Sequence, residues 1–370
     1  MQGRMKWSWK VVKVAGIDIY IHATFLLLLL WAGYGYWQAE GSLAAVASGL
    51  TFVLAVFVCV VLHELGHALT ARHYGIATQH ITLLPIGGIA ALEKMPEDPK
   101  QEMWVALAGP AVNATIAGAI WVAVGTEVFT GSATQSQTWT DLPFLERIMI
   151  ANIMLATFNM LPALPMDGGR VFRAALATRL SHDAATEIAA KVGRAIALCL
   201  GFIGIAYSPV LAFIALFVWI GAAAELHSSR MKTALHGVSI GEAMLTDYEV
   251  LSQTDQLSRA IELTLAGSQR DFPVMDQTRL IGALTQSDLL RGLQAAGETA
   301  PVVDWMQREV PTLEVDHPLE EVLEGLQGGA HPIVSVKRRG TVAGIINLEN
   351  FVEYLSIHSA LSQANKNVKT

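Results

Sequence analysis

Residues 43–71 read LAAVASGLTFVLAVFVCVVLHELGHALTA. From Leu43 to Leu62 there is no charged residue, a run long enough to cross a lipid bilayer as a helix. At its far end stand His63, Glu64 and His67. Residues four apart share one helix face, so both imidazoles can reach one ion while Glu64 stands beside it. That spacing is the zinc-hydrolase pattern, in which the metal acidifies a water and the glutamate takes its proton. Ionisable groups at membrane depth are costly and mark function by default. The stretch points to a multi-pass α-helical membrane protein whose chemistry is metal-assisted hydrolysis.

Composition carries the same message outward. Apolar residues make up 52% of the 370 and charged residues 15%, too little charge for a chain lying wholly in water. Further apolar runs cover roughly 19–37, 101–124, 145–162, 195–208 and 209–224. About six transmembrane helices are therefore expected, with four as the smaller count. The last two runs are short and meet at Ser208-Pro209, which suits a tight helical hairpin or a partly inserted pair. Charge is uneven: residues 1–230 hold 14 Lys+Arg and 14 Asp+Glu, whereas residues 231–370 hold 11 and 18, so the net −7 belongs to the second part. That part reads as soluble, and nothing in its charge suggests a nucleic-acid partner.

Basic residues in short loops prefer the cytoplasm. Arg4, Lys6, Lys10 and Lys13 precede the first apolar run, and Arg170, Arg173, Arg179, Lys191 and Arg194 follow the fourth, while residues 125–144 contain no Lys or Arg. Both termini are expected in the cytoplasm, with the chain in the cell membrane. The first apolar run is long enough to span and lacks a small-residue cleavage site, so it reads as a retained helix rather than a cleaved leader. Cys59 and Cys199 fall within apolar runs and read as packing residues, too few for a disulfide framework.

Two histidines leave zinc short of the three protein ligands usual in a catalytic site. Asp167 is the best candidate for the third, in NMLPALPMDGG from Asn159 to Gly169. His63 lies about 20 residues into its span, about 30 Å at 1.5 Å per residue, and the fourth span delivers Asp167 to the same cytoplasmic side. Pro162 and Pro165 remove backbone donors and break the helix, and Gly168 and Gly169 permit turns that other residues resist. Cys59, one turn before His63, is a weaker rival, because its backbone is about 12 Å along the axis from that of His67. His22, His73 and His80 have no metal spacing to one another and read as interfacial polar residues.

Together these residues resemble the site-2 protease family of intramembrane zinc metalloproteases, whose pattern joins HExxH in one span to Asn-x-x-Pro-x-x-Pro-x-Asp-Gly in a later one. The segment from Ala108 to Asn113, AGPAVN, is similar to a third motif of that family, and the likeness covers about residues 43–180. The resemblance implies one Zn2+ per chain held by His63, His67 and Asp167, with Glu64 as catalytic base and Asn159 holding the substrate backbone. Asn113 has two readings of equal weight: an interhelical hydrogen bond, or a substrate or oxyanion contact. The family also implies a membrane-dipping hairpin in the β-prone stretch from His80 to Glu93, whose open strand edge could take up an extended stretch of substrate.

The acidic part contains an internal repeat. At an offset of 62, Met244 aligns with Met306, Leu257 with Leu319, Gly282 with Gly344, Thr285 with Asn347 and Asp288 with Asn350; Pro273 and Pro332 match at 59. Each copy mixes a helical stretch with short β-prone runs, so a pair of α/β units sharing a core is expected. The repeat resembles a tandem pair of cystathionine-β-synthase-type (CBS) domains, at 238–296 and 300–357, which implies an adenine nucleotide such as ATP or AMP as regulatory ligand. Thr285 and Asp288 fit the family's ligand signature and the second copy lacks both, so one nucleotide site is expected. Residues 358–370 read as a polar, disordered tail.

The sequence thus reads as a membrane-embedded zinc metalloprotease over 1–230, joined through 225–237 to a cytoplasmic CBS pair that could also dimerise. Its substrate would be a membrane-anchored protein, cut within or beside its spanning segment in regulated intramembrane proteolysis. The rival reading is a CBS-regulated membrane metal transporter. Glu64 between the histidines and the broken helix before Asp167 favour hydrolysis.

Overall fold

The computed structural model describes residues 7–85, 87–92, 96, 98–125, 142–235, 237–267, 269–277, 279–319, 321–322, 326 and 333–368. They form two compact units that divide between Ser229 and Arg230.

The first unit opens with a hairpin, β1 (Ser8–Val14) and β2 (Ile17–His22), turning through Ala15 and Gly16, both at positive φ. Alternation of Ile17, Ile19 and Ile21 with Asp18, Tyr20 and His22 is a strand pattern. Residues 19–22, placed above in the first span, therefore belong to a sheet, and so do Lys10 and Lys13. Then come α1 (Thr24–Glu40), α2 (Leu43–His73), β3 (Thr78–Leu84) and β4 (Gly87–Leu92). The four strands form one sheet in the order β1-β2-β3-β4, with β2 and β3 parallel and the outer pairs antiparallel. The sheet rests on α2, where Ile17 and Ile81 bury against Leu65 and Ala68. The hairpin expected near residue 80 is β3–β4; its end at Glu93 lies outside the described residues.

Five more helices follow: α3 (Pro99–Val124), α4 (Phe144–Asn159), α5 (Asp167–Ala177), α6 (His182–Tyr207) and α7 (Pro209–Leu235). Among the described residues four helices are long and apolar enough to cross a membrane, namely α2, α3, α6 and α7 as far as Met231. The other two of the six expected spans, α1 and α4, are shorter, with 17 and 16 residues. At about 1.5 Å per residue they reach roughly 24 to 26 Å, against a hydrocarbon core of about 30 Å. Conversely, the short apolar runs 195–208 and 209–224 are the central parts of helices of 26 and 27 residues, continued by polar turns. These two make the tight hairpin at Ser208, so close that a Cβ on Gly204 would lie 2.3 Å from the Ala212 backbone nitrogen. Large apolar side chains such as Trp31, Val122, Phe202 and Ile205 point outward, an exterior suited to lipid rather than water.

Between α4 and α5 the chain is irregular from Met160 to Met166. Such backbone is tolerated at membrane depth only when protein covers it. Ala163 and Leu164 are fully buried, covered by a small-residue surface of Ala189, Ala190, Ala197, Val218 and Ala222. Gly168 and Gly169 do not have the positive φ that would demand glycine. They are small for a different reason: a Cβ on either would lie 2.3–2.4 Å from the backbone of Met160 or Leu164. Close packing of α5 under the irregular stretch, not a turn, fixes them.

The second unit repeats one arrangement twice. β5 (Leu251–Ser252), β6 (Phe272–Asp276) and β7 (Arg279–Leu284) form one sheet; β8 (Thr312–Glu314), β9 (Ile333–Arg338) and β10 (Thr341–Asn347) form the other. In each, the first pair is parallel and the second antiparallel. Short α8 (Ile240–Ala243) and α9 (Leu257–Ala266) accompany them, and α10 (Gln286–Ala296) and α11 (Leu348–Val368) follow β7 and β10. Ala283, Ile333 and Ile345 form a core shared by both copies, with Leu245, Tyr248 and Val310 against it. Pro332 lies outside the described residues. Two expectations change here: residues 225–235, read as linker, are the last turns of α7, and the polar tail continues α11 to Val368.

Candidate metal centre

His63 and His67 project from the same face of α2, and α5 brings Asp167, its first residue, to meet them. The Nε2 atoms of the two histidines are 3.1 Å apart, and Asp167 Oδ2 lies 3.1 and 3.2 Å from them. Three ligands placed tetrahedrally about zinc at about 2.0–2.1 Å would be roughly 3.3 Å apart. The donor set fits that ion, and among the described residues it is the one His/Cys/Asp/Glu group of metal-binding geometry. All three side chains are buried.

The other nitrogen of each imidazole is also engaged. His63 Nδ1 makes a short hydrogen bond with Asn113 Oδ1, and His67 Nδ1 lies 2.7 Å from the Val105 carbonyl oxygen. Protons on both Nδ1 atoms leave both Nε2 lone pairs turned to the centre, the tautomer a metal needs. Asn113 Nδ2 donates to Asn152 Oδ1 at 2.8 Å, and Asn152 Nδ2 donates to the Ile148 carbonyl and toward Cys59 Sγ. Cys59 thus faces Asn152 rather than the donor triad.

The motif glycines explain how the helices come so close. A Cβ on Gly109 would lie 2.2 Å from His67 Nε2 and 2.6 Å from His63 Nε2, and one on Gly66 would lie 2.9 Å from the Ala108 carbonyl oxygen. Only glycine lets α3 carry Asn113 and Val105 to the imidazoles. Gly88 of β4 likewise lies against Glu64, where a Cβ would be 2.7 Å from Glu64 Cγ.

A cavity of about 570 Å³ opens on the triad, and its lining includes Glu64, Gly87, Gly88, Asn113, Asn159 and Arg170. Asn159 and Glu64 therefore share one chamber with the donors, and β4 contributes the outer strand of the sheet to its wall. Asn152 and the Val105 carbonyl were not singled out in the sequence. An asparagine in the middle of the apolar run 145–162 was the available signal for the first; a backbone carbonyl has none.

The helix that starts at Asp167 is held by an ion cluster at Arg173. Arg173, one and a half turns along α5, donates through Nε at 2.8 Å and Nη2 at 2.5 Å to Glu102 Oε1 of α3, and through Nη1 at 2.6 Å to Glu225 Oε1 of α7. Arg173 was counted above among cytoplasmic loop cations; it is instead buried.

In the second unit Thr285 caps α10, accepting from the Asp288 backbone N–H at 3.1 Å and donating to Asp288 Oδ2 at 2.6 Å. Asp288 is fully buried and also accepts from Gln307 Nε2 at 2.9 Å and from Arg291. Both its oxygens are engaged, so a ribose there would have to displace Gln307 or Arg291. Asn350 N–H donates to Asn347 Oδ1 in the matching cap of the second copy.

Comparison with known proteins places this geometry. Residues 51–200 match Peptidase family M50, and residues 240–295 and 302–357 each match the CBS domain. A zinc metalloprotease of Methanocaldococcus jannaschii is 29% identical over 354 residues, 95% of this chain and 97% of that protein. The solved structure of a site-2 protease from the same organism is 34% identical over 60% of this chain and 95% of that one, with a TM-score of 0.45. Stage IV sporulation protein FB of Bacillus subtilis is 27% identical over 150 residues, 40% of this chain and 48% of that protein. The chain is a zinc metalloprotease of peptidase family M50, the site-2 protease family, and carries a tandem pair of CBS domains.

Proposed function

We propose that the chain is an endopeptidase that cuts membrane-anchored proteins within or beside their spanning segment, with His63, His67 and Asp167 holding one zinc and Glu64 acting as base. One observation carries this reading: three buried donor atoms converge at zinc-ligand spacing in a chamber that also holds a free-standing glutamate. Zinc, when bound, supplies a Lewis acid that polarises the scissile carbonyl and acidifies water. Glu64 takes the proton of the attacking water and returns it to the departing amide nitrogen. Asn113 and the Val105 carbonyl keep both imidazoles in the ligating tautomer. Asn159 hydrogen-bonds the substrate backbone, and the outer edge of β4 receives the unwound segment as an added strand, aligning its carbonyl with the centre.

The chain lies in the cell membrane with both termini cytoplasmic, so the released product is cytoplasmic too. The CBS pair binds an adenine nucleotide at Thr285 and Asp288, displacing the internal partners of Asp288, and so regulates cleavage. Substitution separates base from ligand. Glu64→Gln retains zinc and loses cleavage, whereas His67→Ala and Asp167→Ala lose both; metal content by mass spectrometry beside a cleavage assay reads the difference. Full cleavage by Glu64→Gln would remove the hydrolytic assignment.

A further inference from the structure

The second unit contains a cavity of about 370 Å³ whose lining does not include Thr285 or Asp288 but does include Arg279, Arg308 and Lys337 together with Thr312 and Gly282. Arg279 opens β7, whereas Thr285 follows its other end, about 20 Å away at roughly 3.3 Å per residue. Three cations thus share one concave wall. Among the described residues none of them has a carboxylate within ion-pair distance, in a segment where 18 acidic residues outnumber 11 basic ones. Neighbouring like charges without a counter-charge are unfavourable unless an anion joins them.

The backbone brings them together deliberately closely. Ala283 and Gln307 exchange two hydrogen bonds of 2.9 Å, which fastens residues 306–308 onto β7, sets Arg308 opposite Gly282 and leaves it on the same cavity wall as Arg279. Gly282 makes room for it, since a Cβ there would be 2.6 Å from the Gln307 carbonyl oxygen. The second copy builds the same cradle: Leu245 and Ile345 exchange two bonds, and a Cβ on Gly344 would be 2.6 Å from the Leu245 carbonyl oxygen. Yet at the repeat offset of 62, Arg279, Arg308 and Lys337 correspond to Thr341, Thr246 and Met275. The fold therefore needs no cations in this cradle, and only one of the two related cradles has them, Arg279 coming from the first copy and Arg308 and Lys337 from the second.

We propose that Arg279, Arg308 and Lys337 form a binding site for a phosphate chain, a diphosphate or triphosphate group, separate from the Thr285–Asp288 cap. Guanidinium groups pair with phosphate oxygens through parallel N–H donors, and Lys337 adds a point charge. Thr312 lies on the same wall to donate from its hydroxyl. The chain could be free inorganic polyphosphate or the phosphates of a nucleotide, and the measurement separates them.

Calorimetry on the full-length protein in neutral detergent, with inorganic tripolyphosphate as probe, tests the site. About one tripolyphosphate per chain is expected, weakened tenfold or more by Arg308→Gln or Lys337→Gln. Arg259→Gln, an exposed cation paired with Glu262 elsewhere on this unit, should leave it unchanged. ATP weakened by the same two substitutions would name a nucleotide as the source; tripolyphosphate alone responding would name the inorganic chain. No heat with tripolyphosphate, or equal loss in Arg259→Gln, overturns the site. Neither result touches the proposed nucleotide contact at Asp288, which Asp288→Ala reads separately with ATP.

Discussion

Asn113 decides which nitrogen of His63 is available to a metal. Its Oδ1 can face Nδ1 only because its own Nδ2 is taken by Asn152, which is anchored in turn on the Ile148 carbonyl. Of the two readings left open by the sequence, the interhelical hydrogen bond is present, and it orients the His63 imidazole. Asn113→Ala should weaken zinc binding about 10- to 100-fold, as loss of a ligand's orienting partner commonly does. Competition with a chromophoric chelator measures it, and Asn113→Asp, which keeps an acceptor oxygen, should recover part of the affinity. Asn152 was missed in the sequence because its role depends on a partner 39 residues away that no spacing rule links to it.

Helix α5 carries Asp167 at its start and Arg173 within, so whatever fixes Arg173 fixes the third donor. Glu102 of α3 and Glu225 of α7 hold it, and both Arg173 and Glu102 are almost wholly removed from solvent. A buried pair is weak evidence of net stability, but removing one partner strands the other. Arg173→Ala should destabilise the membrane unit by about 3–5 kcal/mol, read as a lowered thermal midpoint in detergent, with loss of bound zinc at lower temperature than in the parent. The double replacement Arg173→Met with Glu102→Gln should recover most of that stability, because the deeply buried charge of Glu102 is removed with its partner while Glu225 is partly open to solvent. Rules that count loop cations see Arg173 only as a charge, which explains its placement among cytoplasmic residues in the sequence reading.

On the scale of the whole molecule, the sidedness set by the basic residues requires α1 and α4 to cross the bilayer along with the four longer apolar helices. Cysteines introduced between Gly131 and Asp141, outside the described residues, should react with an impermeant thiol reagent in intact cells lacking Cys59 and Cys199. Cysteine at position 228, near the end of α7, should not. The reverse pattern would place the second unit, and the product, on the other side of the membrane. The two units also differ in how they were read. The repeat was visible because both copies keep their glycines and apolar residues at one offset, whereas the N-terminal hairpin β1–β2 was hidden beneath the apolar run that follows it.

The sequence alone determined the membrane setting and the paired α/β repeat and singled out His63, His67 and Asp167, which the fold brings together, because each depends on local spacing or composition that packing cannot erase. It also located the broken helix before Asp167, since two prolines remove the donors a helix requires. Tertiary structure decided the rest. Whether a 16-residue apolar helix spans, whether Gly168 serves a turn or a contact, and which carboxylates meet Arg173 are set by neighbours distant in the chain. The same holds for the cations of the second unit. Arg279, Arg308 and Lys337 are scattered over 59 positions of sequence, and only the close approach of two strands at Gly282 gathers them on one wall.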